Sequence, residues 1–216
     1  LKDNVGKLYR KFFIASFGSA LIACIYGLVD MAMVGQYHGP DGSAAMAVIA
    51  PIWNIIYSFG LLCGIGGSVI YAVARGERDD VKAANGYFTS AFILGTLWAL
   101  MLWVLVWVCE EPLLRLFGAN DALMPLCKEY MVAPKLTVPV YVFINLLSSF
   151  LRNDGDPGRA TKAVIFGGIF NVFGDYFFVF TLDMGIKGAG IATAMGASMS
   201  VLVMLTHFIS KKNTLK

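Results

Sequence analysis

Long apolar stretches recur along the chain, separated by short polar segments that hold most of its charged residues. A helix that crosses about 30 Å of hydrocarbon needs roughly 20 apolar residues at about 1.5 Å of rise each. None of the stretches alternates strictly between apolar and polar positions, so the pattern favours membrane-spanning helices over barrel strands. Six stretches are long enough, and they are predicted as spans near 12–35, 44–74, 86–109, 130–151, 163–182 and 188–210.

The first two stretches need separate comment. Residues 44–74 carry no charged side chain, and as a straight helix they would measure about 46 Å. Such a span has to tilt, protrude or bend, and Pro51 is the predicted bending point. The first stretch follows a basic segment, as in a signal peptide. It is too long for one and lacks a small-x-small cleavage site, so it is predicted as a true span.

Composition excludes several protein classes. Apolar residues make up 58% of the 216 residues and charged residues 14%, against about 45–50% and about 25% in soluble domains. Disordered and disulfide-rich proteins are excluded because the apolar content is high and only four cysteines are present. The chain is therefore predicted to be an all-α integral membrane protein of the plasma membrane, in contact with the lipid bilayer and without a nucleic-acid partner.

Basic residues are distributed unevenly between the two sides of the predicted spans. The connections on the opposite side carry only Arg115, Lys128 and Lys187, and Lys135 lies within span four. Because basic residues accumulate on the cytoplasmic side, both termini are predicted to be cytoplasmic. Thirteen of the 17 lysines and arginines fall on that side, namely Lys2, Lys7, Arg10, Lys11, Arg75, Arg78, Lys82, Arg152, Arg159, Lys162, Lys211, Lys212 and Lys216.

The cysteines form no motif typical of enzymes or metal proteins. Cys24 and Cys63 lie within spans and are interpreted as small apolar fillers. Cys109 and Cys127 lie near the outer ends of spans three and four, and the sequence leaves open whether they form a disulfide. The sequence holds no phosphate-binding loop or catalytic triad. It is thus predicted not to be an enzyme and to need no cofactor.

Two aspartates lie deep within predicted spans, where an ionisable group is costly unless it faces protein or water. Asp30 and Asp175 each come about seven residues before the outer boundary, roughly 10 Å below it. Tyr26 and Asn171 precede them by four residues on the same helix faces, and Thr193 reaches a similar depth in span six. These oxygen-bearing side chains are predicted to converge on a site for a proton or a hard cation such as Na⁺. The alternative is that each caps or hydrogen-bonds a neighbouring helix.

Span four contributes two weaker candidates. Lys135 lies between Pro134 and Pro139, where it extends toward the interface, forms part of a cavity wall, or contacts a substrate or a carboxylate. The two prolines are expected to bend or break this helix. Asn145 lies deeper in the span. An interhelical hydrogen bond is its predicted role, and a place in the cation site is the alternative.

Small residues recur every four positions on two spans, a pattern that lets helices approach closely and predicts packing surfaces. The stripes consist of Gly60, Gly64, Ser68, Ala72 and Gly76 on span two, and of Gly188, Ala192, Gly196 and Ser200 on span six.

Three blocks stand in order across nearly the whole chain: VDMAMVG at 29–35, FLRNDGDP at 150–157, and NVFGD at 171–175 followed by GIKGAGIAT at 185–193. The first resembles the first-helix "VD…VG" signature of the MATE (multidrug and toxic compound extrusion) transporters. The second resembles that family's "LR..GD" loop after helix four, and the third its segment from helix five to helix six. Each block is short, but the ordered combination is specific.

The resemblance implies a MATE-like fold of the MOP superfamily, in which twelve helices form two six-helix lobes around a central cavity. It also implies a secondary antiporter that exports organic, often cationic, compounds in exchange for H⁺ or Na⁺. Many members carry a proline early in helix one, where residues 14–17 of this chain read IASF. The family's N-lobe cation site maps onto Tyr26, Asp30, Asn171, Asp175 and Thr193, with Asn145 as a less certain match.

Six helices are half of such a transporter. Residues 1–210 are expected to form its N-terminal lobe, and 211–216 to begin a cytoplasmic linker to a C-terminal six-helix lobe. The alternative is a natural half-transporter that dimerises. Two other functions stay open, a flippase for a lipid-linked precursor in the same superfamily and a membrane scaffold without transport. The sequence does not determine the exported small molecule or the choice between H⁺ and Na⁺.

Overall fold

The computed structural model describes residues 5–76, 80–211 and 213–215, and within these ranges it contains helices and no strand. Five helical segments are long and apolar enough to cross a membrane, and the two shortest α-helices, α3 and α4, lie between two of them. The elements are α1 (Val5–Gly76), α2 (Val81–Val108), α3 (Glu110–Leu116), α4 (Met124–Tyr130), α5 (Val132–Asn153), α6 (Pro157–Asp175), a π-helix (Tyr176–Thr181) that continues α6, and α7 (Gly185–Leu205).

Helix α1 contains two crossings, because the chain reverses direction at Gly39. This residue has φ 67° and ψ −152°, a backbone region that is essentially restricted to glycine. It divides α1 into two arms, 5–38 and 40–76, which lie close together beside the turn. A β-carbon placed on Gly42 would lie 2.9 Å from the carbonyl oxygen of Val34. The two arms and the four other long apolar helices thus give six candidate crossings, the number that the sequence predicts.

The two ends of the helix bundle are named here by the predicted orientation. The outer end holds Gly39, α3 and the turn at Asp183, and the inner end holds the loop at Asp154 and residues 206–211 and 213–215. The orientation itself stays a prediction. Four of the basic residues on which it depends lie outside the described residues, namely Lys2, Arg78, Lys212 and Lys216.

Glycines bring the helices into close contact along both predicted stripes. A β-carbon on Gly196 of α7 would lie 2.6 Å from the carbonyl oxygen of Gly167 on α6. In the same contact, Ser200 donates a hydrogen bond to the carbonyl of Ala163 at 3.1 Å. A β-carbon on Gly64 of α1 would lie 2.8 Å from the carbonyl oxygen of Asn145 on α5. These contacts hold α6 against α7 and the second arm of α1 against α5.

Apolar side chains fill the bundle in two clusters, one around Ile49 and Val138 and one around Phe150 and Met204. Many large apolar side chains also point outward, and Phe173 on α6 is 73% exposed. Soluble proteins rarely expose apolar surface on this scale. The exposed apolar surface of the helix bundle fits contact with lipid.

The prolines do not break the helices in the way the sequence suggests. Within α1 only Gly39 departs from helical backbone angles, so Pro51, the predicted bending point, lies in continuous helix. Helix α5 likewise continues through Pro139. Pro134 lies in the first turn of α5, where a missing backbone N–H costs little. The interruption falls just before it, at Met131 between α4 and α5.

Two further expectations differ from the structure. Helix α7 ends at Leu205, five residues before the end of the predicted span 188–210. Cys109 and Cys127 do not form the disulfide that the sequence left open, since both are free thiols. Cys127 is buried, and its thiol points to the carbonyl of Ala45 at 3.9 Å.

Candidate functional site

The two aspartates predicted to lie deep within the spans are both buried. Asp30 on the first arm of α1 is 6% exposed, and Asp175, the last residue of α6, is fully buried. Each lies within about three helical turns of the outer end. Asp175 directly precedes the π-helix, an irregularity that is frequent at functional sites. The carboxylates are close enough for Asp30 to act electrostatically on Asp175.

Neutral polar side chains surround Asp175 as the helical spacing predicts. The Asn171 amide nitrogen, one turn earlier on α6, donates to Asp175 Oδ1 at 3.4 Å. It also lies 3.4 Å from Thr193 Oγ1 on α7. Asn171 therefore links the carboxylate to the neighbouring helix. Tyr26 packs its ring against Gly168 of α6, where a β-carbon would come within 2.6 Å of the ring.

A residue that the sequence argument missed contacts Asp30. Tyr130, at the end of α4, donates its hydroxyl proton to Asp30 Oδ2 at 3.2 Å and is itself buried. The depth argument placed Tyr130 at the outer edge of span four, above the aspartates. Tyr130 is the last residue of α4, directly before Met131 and the start of α5, and it reaches the site from the outer edge of the predicted span. A tyrosine at the outer start of an inward-running span is a weak sequence signal for a contact with the buried aspartates.

Three buried oxygens at this site have no hydrogen-bond partner among the described residues: Asp30 Oδ1, Asp175 Oδ2 and Asn171 Oδ1. Buried polar atoms are nearly always hydrogen-bonded, and a pair of buried carboxylates needs a counter-charge. Unsatisfied acceptors of this kind can take a proton or an oxygen-seeking cation. The described residues contain no group of three or more His, Cys, Asp or Glu side chains suited to a metal ion. A bound cation would therefore depend on neutral oxygens as well.

A cavity of about 360 Å³ adjoins this cluster, between both arms of α1 and helices α5, α6 and α7. Tyr26, Asn145, Asn171 and Thr193 are among its lining residues, whereas the two aspartates lie outside the lining. Asn145 faces the cavity but donates to the carbonyl of Tyr141 in its own helix at 3.0 Å. Among the described residues, Asn145 thus does not donate the expected interhelical hydrogen bond.

Lys135 lies apart from the cavity lining. Its ammonium group pairs with Glu110 at 2.7 Å and lies 5.0 Å from the centre of the Trp107 ring. Of the alternatives that the sequence left open, the structure shows the contact with a carboxylate. Lys135 fixes the start of α5 to the junction between α2 and α3.

Contacts at the outer end hold the elements that carry the site. The Tyr37 hydroxyl donates to Asp183 Oδ1 at 2.5 Å. The backbone N–H of Ile186 donates to His38 Nε2 at 3.1 Å. These bonds join the turn of α1 to the start of α7. The helices bearing Asp30 and Thr193 are thus connected directly above the buried oxygens.

Comparison with known proteins identifies one family. The family model named MatE matches residues 15–177 of the chain. That range contains five of the six residues named for the cation site, Tyr26, Asp30, Asn145, Asn171 and Asp175, and ends before Thr193.

Individual relatives and solved structures agree with the family match. The chain is 23% identical over 214 residues to the multidrug export protein MepA of Staphylococcus saprophyticus, covering 98% of this chain and 47% of that protein. A crystal structure of MATE in the bent conformation superposes with a TM-score of 0.89 at 24% identity, over 98% of this chain and 47% of the other. An outward-facing multidrug resistance MATE family transporter of the MOP superfamily gives 0.87 at 25% identity, over 97% and 46%. The chain thus spans about half the length of the relatives it matches.

Proposed function

The chain belongs to the MATE family of membrane transporters, and we propose that it works as one half of a cation-coupled antiporter that exports organic compounds. The relatives are transporters, which favours transport over catalysis. They are also about twice as long as this chain, which supports a second six-helix lobe as its partner. The substrate would be a small organic molecule, in keeping with the multidrug export named for the relatives.

The buried oxygens beside the cavity carry the proposal. Asp30 Oδ1, Asp175 Oδ2 and Asn171 Oδ1 have no hydrogen-bond partner among the described residues. A proton or Na⁺ at this position would neutralise the aspartates and satisfy these acceptors. Neutral oxygens from Asn171 and Thr193 are available to complete the coordination of a cation.

Occupation of the site would act on three packed elements together. The aspartates lie on the first arm of α1 and at the end of α6, and Thr193 lies on α7. Neutralising the carboxylates removes their mutual repulsion and changes which arrangement of these helices is favoured. A ligand shifts a conformational equilibrium by its difference in affinity for the two states. Ion binding would thereby favour the state from which the exported compound is released.

The cavity is the proposed contact of this lobe with that compound. Most of its lining surface is apolar, and its polar groups include tyrosine and serine hydroxyls, the amides of Asn145 and Asn171, and the guanidinium of Arg152. A surface of this kind suits organic molecules of varied structure, because few polar contacts restrict their shape. The preference for cationic compounds and the identity of the coupling ion are part of the same proposal.

Ion-driven efflux in the full-length protein tests the proposal. Asp30→Asn and Asp175→Asn are expected to lower efflux driven by a pH or Na⁺ gradient by about 5- to 150-fold, the usual range of one coupling free energy. Asp41→Asn removes an exposed carboxylate on the same helix and should transport like the wild type. Unchanged gradient-driven efflux in both aspartate variants would contradict the proposal.

A further inference from the structure

Arg152 lines the cavity at the end opposite to the aspartates. It lies in the last turn of α5, and its guanidinium group faces the first arm of α1 near Ser16. Ser16 is fourteen residues before Asp30 on that arm, a separation of about 21 Å along the helix. The two ends of the cavity thus differ in chemistry. One end adjoins buried carboxylates, and the other end is lined by the positively charged guanidinium of Arg152.

The hydrogen-bond partners of Arg152 are all neutral hydroxyls. The guanidinium donates to Ser16 Oγ at 2.9 Å, to Ser19 Oγ at 3.2 Å and to Ser148 Oγ at 3.3 Å. Among the described residues no carboxylate forms an ion pair with it. Arg159, by contrast, pairs with Asp156 at 2.9 Å. Arg152 is also the single formally charged residue among the described residues that line the cavity.

The Arg152 guanidinium has more N–H donors than its contacts with the serines use. A guanidinium carries five N–H donors and no acceptor, and three of its N–H···O contacts are directed to the serines. Because Ser16 and Ser148 accept these bonds, their hydroxyl protons are directed elsewhere. Ser19 and Ser149, in contrast, donate to backbone carbonyls of their own helices. Arg152, Ser16 and Ser148 together present several donors and a positive charge to the cavity.

This donor set matches a tetrahedral oxyanion. Phosphate oxygens accept several hydrogen bonds at once, and arginine binds them with paired N–H groups as well as with its charge. A position near the carboxyl end of α5 explains why a basic residue is favoured there. It does not explain why the side chain is held by three serine hydroxyls from two helices at the wall of a cavity.

We propose that Arg152, with Ser16 and Ser148, forms an anion site at the inner end of the cavity that binds a phosphate group. The phosphate would belong either to a free phosphorylated small molecule or to the headgroup of an anionic lipid. The site goes beyond the cation coupling proposed above, since it shares no residue with the aspartate cluster. An experiment can therefore contradict one of the two proposed sites and leave the other standing.

Binding of two probes to the purified full-length protein tests the site. In detergent, the unfolding temperature is followed against inorganic phosphate at constant ionic strength. In nanodiscs of phosphatidylcholine with or without phosphatidic acid, retained phosphatidic acid is counted by native mass spectrometry. Saturable binding of inorganic phosphate alone indicates a free phosphate, and retention of phosphatidic acid indicates a lipid headgroup. Either result supports the site.

Variants decide which residues are responsible. Arg152→Gln should weaken the observed binding at least about tenfold, since it removes the charge from the hydrogen bonds to the anion. The double variant Ser16→Ala with Ser148→Ala keeps the charge, and it should weaken binding several-fold even if Arg152→Gln does not fold. Lys162→Gln removes an exposed basic residue from α6 and should bind like the wild type. Absence of binding to both probes, or an equal loss in Lys162→Gln, overturns the site.

Discussion

Asp154 is the most heavily hydrogen-bonded acidic residue among those that the structure describes. It follows α5 directly and accepts bonds from the Tyr71 hydroxyl at 2.8 Å, from His207 Nε2 at 2.7 Å and from both the backbone N–H and the hydroxyl of Thr214. These bonds tie the residues after α7 to the loop between α5 and α6. The segment 213–215, expected to begin a linker, thus packs against the inner end, with Leu215 buried.

The hydrogen bonds predict how stability depends on pH. Burial raises the pKa of Asp154, but the bonds from Thr214, His207 and Tyr71 outweigh it and hold the pKa below the ordinary value of 3.8. A lowered carboxyl pKa stabilises the fold above the unfolded-state pKa, and this contribution is lost as the pH falls through the folded-state value. Asp154→Asn should therefore lower the unfolding temperature at neutral pH and flatten its decline toward acid pH. An acid decline as steep as that of the wild type would contradict this role.

The site residues show which contacts sequence can predict. Asn171 and Asp175 are four residues apart on one helix, and their contact follows from helical periodicity. Tyr130 and Asp30 are a hundred residues apart and belong to different elements. Their contact depends on how α4 packs against α1. Counting depth along each span cannot supply that information.

At the scale of elements, α1 shows how one backbone position organises two spans. Gly39 has positive φ with open space around its α-carbon, so its constraint is conformational rather than steric. The reversal there brings the two arms together. It also places Tyr37 and His38 against the start of α7.

Replacing Gly39 should therefore destabilise the fold through the backbone. Gly39→Ala forces a β-carbon into a region that residues other than glycine rarely adopt, at a cost of about 1–3 kcal/mol. The free energy of unfolding, measured by SDS titration in mixed micelles, checks this value. Gly66→Ala is the matched control, because Gly66 is helical with open space around it and alanine favours a helix. Equal stability of the two variants would show that the reversal does not need a positive φ.

The elements also show where local sequence signals mislead. Apolar length predicts all six crossings, because each span has to bury its backbone in lipid. Pro51 is the predicted bending point of the second span, yet the backbone there stays helical, and the departure from helical angles is at Gly39, in the predicted connection between spans one and two. A proline inside a membrane helix is tolerated when neighbouring groups satisfy the freed carbonyl. The reversal needs a backbone conformation that proline cannot adopt.

At the scale of the whole molecule, orientation decides which end of the cavity faces which side of the membrane. The aspartate cluster adjoins one end and Arg152 lines the other. With the predicted orientation, the proposed cation site faces the outside and the proposed anion site the cytoplasm. Helix packing is equally possible in either direction across the membrane. The distribution of basic residues is therefore the physical basis for the orientation.

Labelling from one side of the membrane checks that orientation. Asp121 has a side chain that is 91% exposed at the outer end, and Lys162 is exposed near the inner start of α6. A membrane-impermeant maleimide added to intact cells should label Asp121→Cys, and should label Lys162→Cys only after the cells are permeabilised. The wild type, in which Cys63 and Cys127 are buried, Cys109 is partly buried and Cys24 is exposed within a predicted span, gives the background. The opposite pattern would place the basic connections outside. It would then also reverse the sides assigned to the cation and anion sites.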